Sequence, residues 1–163
     1  IRTERACCRS NNYMLNALTA MEAQARGGKF GIAVDERKML RESCALNVAI
    51  VKKGILSTPP FEGILAGTTV TRAMEVSAPL LSNGLLTSVA QQQVSLADAK
   101  GADEVMLLAG DTMLFPVTSL DGVPIGDGQV GPVTRALIEL MRHDAHQGSA
   151  CHEPVLGLCP VRL

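Results

Sequence analysis

One stretch constrains this chain more than any other: an apolar, extended segment that passes through a single glycine into a helix, Ile64-Leu65-Ala66-Gly67-Thr68-Thr69-Val70-Thr71-Arg72. A helix start leaves backbone N–H groups without intrahelical partners, and the helix dipole makes that end attractive to anions. Gly67 allows a sharp turn and lets a ligand approach the backbone closely. Thr68 and Thr69 add hydroxyls able to cap the helix or to bind phosphate oxygens. An ordinary strand-to-helix turn with a threonine cap uses the same residues, so the rest of the chain must decide between them.

Around this junction the chain reads as short strands mixed with helices. Residues 12–26 form an amphipathic helix, with Met14, Leu18, Met21 and Ala25 at three- and four-residue steps and Gly27-Gly28 as its stop. Residues 30–35, 39–42, 46–51 and 55–56 read as a β-meander. A helix over 69–81 follows, interrupted near its end by Pro79 and closed by Asn83-Gly84. Residues 88–94 suit an edge strand, and Ser95-Leu96-Ala97-Asp98 a capping box that opens a short helix through Lys100. Residues 104–108 form a buried strand and 115–120 another, before a hairpin turn at Asp121-Gly122 and a return over 123–125. Gly131-Pro132 starts the last helix, with Leu137, Leu140 and Met141 inward. The class is α/β or α+β, a mixed sheet with flanking helices. One domain is expected over 1–144, followed by a tail over 145–163 without assigned structure.

Composition narrows the function. With 47% apolar and 19% charged residues, the 163-residue chain is long enough for one core and is not disordered throughout. Aromatics are 2%, so the core is aliphatic and stacking on nucleic-acid bases is not its work. The net charge of −1 carries no run of either sign, which argues against nucleic acid or an acidic membrane as partner. No apolar run is long enough to span a bilayer. An opening at Ile1, without methionine or signal-peptide pattern, predicts a fragment. Five cysteines without CxxC spacing predict a reducing compartment. His143, His146 and His152 with Cys151 and Cys159 match no metal-ligand spacing, and no metal is expected.

Candidate chemistry lies at strand ends. Glu42 ends a strand, where a carboxylate is either a solvated turn residue or the partner of a buried cation. Asn47, five residues on, is the kind of residue that fixes a bulge through its amide. Ala109-Gly110-Asp111-Thr112 follows a buried strand, either as a plain loop or as a second anion-binding turn.

In their order, these segments resemble the class IV aminotransferases, the pyridoxal-phosphate enzymes of fold type IV that include branched-chain and D-amino-acid transaminases. Ser10-Asn11-Asn12-Tyr13 with Met21-Glu22-Ala23 resembles K-S-x-N-Y…E-A, and Glu42 with Asn47-Val48 resembles E-G-x-x-x-N-V. Residues 65–72 are similar to L-x-G-I-T-R with an insertion before the arginine. Ala102-Asp103-Glu104, Pro116-Val117, Asp121-Gly122, Ile125-Gly126-Asp127-Gly128 and Gly131-Pro132-Val133-Thr134 resemble the family's C-terminal signature. The likeness covers residues 9–142 and is nearest to plant and algal members.

The resemblance implies pyridoxal 5′-phosphate as cofactor, an amino acid and a 2-oxo acid as substrates, and a homodimer. It places Glu42 on the pyridine nitrogen, Thr68 and Thr69 on the phosphate, and Tyr13 on the ring's phenolic oxygen. Gly110 to Thr112 takes the place of the loop that completes the phosphate cup, with Gly110 where the family has Ser or Thr. Asp111 there repels a phosphate unless it points away. Arg9 stands at the position of the imine-forming lysine, and a guanidinium cannot form that bond. The family's smaller N-terminal domain is not in this sequence, so the chain reads as the cofactor-binding domain. Two alternatives accompany the aminotransferase reading: an aminodeoxychorismate lyase-like enzyme, and a non-catalytic pseudoenzyme or interaction domain. The compartment is left open between cytoplasm and plastid.

Overall fold

The computed structural model describes residues 13–110 and 113–147. The elements run α1 (Met14–Ala25), β1 (Ile32–Val34), β2 (Leu40–Ser43), β3 (Asn47–Lys52), β4 (Ile55–Thr58), α2 (Thr68–Val76), α3 (Ala78–Ser82), β5 (Ser88–Gln91) and α4 (Leu96–Lys100). β6 (Glu104–Ala109), β7 (Met113–Val117), β8 (Ser119–Leu120), β9 (Val123–Pro124) and α5 (Pro132–Gln147) complete the described chain. A five-stranded sheet in the order β5-β4-β3-β6-β7 carries the fold. β4 and β5 are parallel and the other pairs antiparallel, so the sheet is mixed as predicted, with β5 at an edge.

β3 and β6 are apolar on both faces because both faces are covered. Ala49, Val51, Met106 and Leu108 point to one side, against Val70 and Ala73 of α2 and Val133, Leu137 and Met141 of α5. Val48, Ile50, Val105 and Leu107 point to the other, against Leu40 of β2, Val94, Ala99 and Ile125. The period-two alternation of these strands thus divides the core in two. β1 and β2 form their own antiparallel pair, which lies over the second face.

Four expectations change. The helix predicted over 69–81 is two helices, broken at Ser77. Pro79 lacks an N–H and cannot continue α2, but it fits the first turn of α3. The strand predicted over 115–120 also divides: β8 leaves the sheet to pair with β9 across a turn with Asp121 at φ 51° and Gly122 at φ 76°. α5 runs on to Gln147, past the predicted start of the tail. Arg72 holds Asp144 and the His146 ring meets the Arg142 carbonyl, contacts that apolar periodicity does not register. The rest of that tail, 148–163, lies outside the described residues. α1 is helical as expected, but none of its residues is buried, and Met14 and Met21 are exposed.

The capping box is present as predicted: the Asp98 N–H donates to Ser95 Oγ at 3.0 Å and the Ser95 N–H to Asp98 Oδ2 at 3.2 Å. The Ser95 hydroxyl, first, and then Lys52 hold the Asp98 carboxyl down at about 2. A depressed carboxyl stabilises the fold above its unfolded value and loses that contribution as pH falls toward 2. Ser95→Ala is therefore expected to cost about 1 kcal/mol in urea unfolding at pH 7. Much of that cost should vanish at pH 2. The Lys52–Asp98 pair is too exposed to add more than a few tenths, about 0.2–0.5 kcal/mol.

Candidate functional site

The register brings four chain segments to one end of the sheet. Asn47 opens β3 opposite Leu108, so the β6–β7 turn at Gly110 lies at that end. β4 runs antiparallel to β3, with Ile50 opposite Ser57, and delivers the chain after Thr58 to the same end. The loop that follows β4 leads into α2. β2 reaches this end through Glu42.

Glu42 joins the β2 layer to the start of α2. Its Oε2 accepts the Leu65 N–H at 3.0 Å, and no donor among the described residues reaches Oε1. Burial pushes the Glu42 carboxyl above its ordinary value, against the opposing pull of the Leu65 N–H. It is thus neither of the sequence's alternatives: it is half-buried, and no cation pairs with it among the described residues. A raised carboxyl means the native state binds its proton more tightly than the unfolded chain, so the fold loses stability as pH rises from 4.5 through the raised value. Glu42→Gln is expected to remove that slope, read as urea midpoints between pH 4 and 8.

The start of α2 is open. Its N-cap is Gly67, extended at φ −68° and ψ 136°, and no side chain caps it. The N–H groups of Thr68, Thr69 and Val70 have no acceptor among the described residues. Thr68 and Thr69 are the first helical residues and cap nothing, which corrects the capping reading and leaves both hydroxyls without a partner there. Two other helix starts are filled by side chains: Ser95 and Asp98 occupy that of α4, and Glu104 accepts the Val133 and Thr134 N–H groups of α5 at 2.9 and 2.7 Å. A groove of about 290 Å³ does lie at α5, at the opposite end of β6, but the anion position there is taken by Glu104.

Asn47, which the sequence left as a bulge residue, belongs to this site: its Nδ2 donates to the Leu65 carbonyl at 2.8 Å. Gly110 is exposed, with open space around it, and Met113 just beyond the turn holds φ 56°, an uncommon conformation for its type. Tyr13 precedes α1 and is 54% exposed; the first turn of that helix is tied to the β2–β3 turn by the Asn16 amide on the Cys44 carbonyl. Arg9, Asp111 and Thr112 lie outside the described residues, as do Cys151, His152 and Cys159. Lys29 stands over the Phe30 and Phe115 rings, while Lys52 and Lys100 pair with Asp98 and Asp121. Glu104 escaped the sequence reading as a carboxylate with a partner. Its one local signal is Gly131, where a Cβ would lie 2.1 Å from the Glu104 Cδ.

Comparison with known proteins bears on the family and the fold. The profile of the Amino-transferase class IV family matches residues 4–120. The chain is 37% identical over 147 residues to the chloroplastic D-amino-acid transaminase of Arabidopsis thaliana, covering 89% of itself and 39% of that protein. Among solved structures, the branched-chain amino acid aminotransferase of Escherichia coli superposes with a TM-score of 0.73 and 32% identity, over 81% of this chain and 43% of that one. The branched-chain amino acid aminotransferase of Thermobaculum terrenum, in its PLP form, also superposes with a TM-score of 0.73, at 27% identity, over 81% and 42%. The chain spans about two fifths of the length of these curated relatives. The profile match over residues 4–120, the 37% identity over 89% of the chain and the shared architecture of the fold type IV aminotransferases place this chain in the class IV aminotransferase family.

Proposed function

We propose that this chain is the cofactor-binding part of a pyridoxal-phosphate-dependent aminotransferase acting on a branched-chain or D-amino acid and a 2-oxo acid, as a homodimer. The observation that carries the reading is the pairing of an uncapped helix start with Glu42 through a single residue, Leu65. A phosphate ester needs N–H donors with no competing carboxylate, and a pyridine nitrogen needs an acceptor sheltered from water. Among the described residues, the start of α2 and Glu42 fit both demands.

When bound, pyridoxal phosphate supplies an electron-withdrawing ring that accepts the electron pair released at the amino acid's α carbon. The residues of this chain then hold and orient. Glu42 Oε1 would accept a hydrogen bond from the protonated ring nitrogen and so hold the proton on that nitrogen, a pairing that burial favours by making an unshared carboxylate costly. The N–H groups of residues 68–70 and the two threonine hydroxyls would donate to the phosphate oxygens. Tyr13 is assigned to the ring's phenolic oxygen, and Gly110 with Asp111 to the rim of the phosphate cup. Gly110 brings no hydroxyl to the position where the family has Ser or Thr. Arg9 stands at the family's lysine position and cannot supply the amine, which favours a second reading, a chain that binds cofactor without catalysing. The compartment proposed is plastid or cytoplasm.

The test is an absorption spectrum of the chain with added pyridoxal phosphate, before and after borohydride. Fixation of the ligand to one peptide establishes an imine-forming lysine and overturns the assignment to Arg9. Reversible binding without fixation is the expected result and supports the cofactor site with Arg9 at the lysine position. No binding overturns the site.

A further inference from the structure

Leu65 is gripped through both of its backbone groups. Its N–H donates to Glu42 at 3.0 Å, and its carbonyl accepts from Asn47 Nδ2 at 2.8 Å. The same carbonyl accepts the Gly67 N–H at 2.9 Å, which closes a tight turn directly before the open N–H groups of α2. Asn47 is only 6% exposed, and β3 fixes its backbone against Leu108. Its amide also fills the space over Gly67, where a Cβ would lie 1.9 Å from Asn47 Oδ1. Gly67 has a backbone conformation open to any residue, so this contact alone explains the glycine.

We infer that Asn47 is a positioning residue for the phosphate end of the ligand: by holding the Leu65 carbonyl and shaping the turn at Gly67, it aims the first N–H groups of α2. Glu42 grips the same residue through its N–H, so the ring end and the phosphate end share one mechanical element. The inference rests on the cofactor reading above. Its physical basis is preorganisation. Without the Asn47 amide the turn samples other conformations, and the ligand must order it on binding.

The test measures binding of pyridoxal phosphate and of pyridoxal, which lacks the phosphate, to the full chain. Asn47→Ala is expected to weaken pyridoxal phosphate about 10-fold, the loss of one buried hydrogen bond and its ordering, and pyridoxal by less than about 3-fold. A residue that only supports the fold would weaken both alike. Asn47→Asp keeps the side-chain shape, removes the donor and should reproduce the split if the alanine variant does not fold. Gly67→Ala should be severe alone and nearly silent in the Asn47→Ala background, since its clash is with Oδ1. In the unloaded chain, amide exchange at Gly67, whose N–H the Leu65 carbonyl holds, should accelerate about 10-fold in Asn47→Asp as local opening becomes easier. Equal losses for the two ligands, additive costs of the two substitutions, or unchanged exchange each overturn the inference. Failure of the unaltered chain to bind either ligand overturns the cofactor reading and this inference with it. Binding by the unaltered chain that Asn47→Asp leaves intact overturns the inference alone.

Discussion

Glu104→Ala is expected to destabilise the fold by about 3–4 kcal/mol, the largest single-residue effect at a polar position here. The carboxylate is 6% exposed, and no cation pairs with it among the described residues. Its countercharge is the start of α5, whose Val133 and Thr134 N–H groups it accepts. Alanine removes two charge-assisted bonds and leaves two buried donors without acceptors. Glu104→Gln keeps one acceptor but turns an NH₂ toward a donor, so it should recover only part of the loss. Gly131→Ala should cost about 2 kcal/mol by overpacking, because its Cβ would fall on the Glu104 carboxyl carbon. In the Glu104→Ala background that cost should largely disappear. Urea unfolding with linear extrapolation measures all of these. A Glu104→Ala loss below about 1 kcal/mol would show that α5 does not depend on the carboxylate.

Thr68→Asp should move stability and binding in opposite directions. It places a carboxylate in the first turn of α2, a helix start that no side chain caps, whereas those of α4 and α5 are filled. The interaction with the helix dipole should raise stability by about 0.5–1 kcal/mol. The same charge repels a phosphate about 4 Å away by about 4 kcal/mol at an effective dielectric of 20, so binding of pyridoxal phosphate should fall at least about 100-fold. Thr68→Asn, uncharged and of similar size, should weaken it far less. Thermal unfolding and spectroscopic titration read the two effects separately. Should Thr68→Asp bind pyridoxal phosphate as well as the unaltered chain does, the phosphate is not at this helix start.

Much of the local structure is written in short stretches of the chain. The apolar runs in β3 and β6 could only be buried strands, and Ser95 to Asp98 could form its box because both halves lie within one turn. Asp121-Gly122 carried its own turn chemistry, since both residues tolerate positive φ. The helix start after Gly67 was equally legible. Where the structure departs from local pattern, distant contacts outweigh it: Asp144 meets Arg72 across 72 residues of sequence and α5 continues, while the periodic face of α1 stays exposed.

The chain order and residue types by themselves determined the class of fold, the family resemblance and the anion-ready turn, because capping, turn geometry and strand alternation act within a few residues. Only the tertiary structure decided which of those residues meet. Glu42 reaches Leu65 across 23 residues and Asn47 reaches it across 18, while Glu104 reaches α5 across 29 and 30. Each closure depends on which strands pair and in what register. That is fixed by burying both faces of one sheet, a global condition that no local stretch of sequence contains.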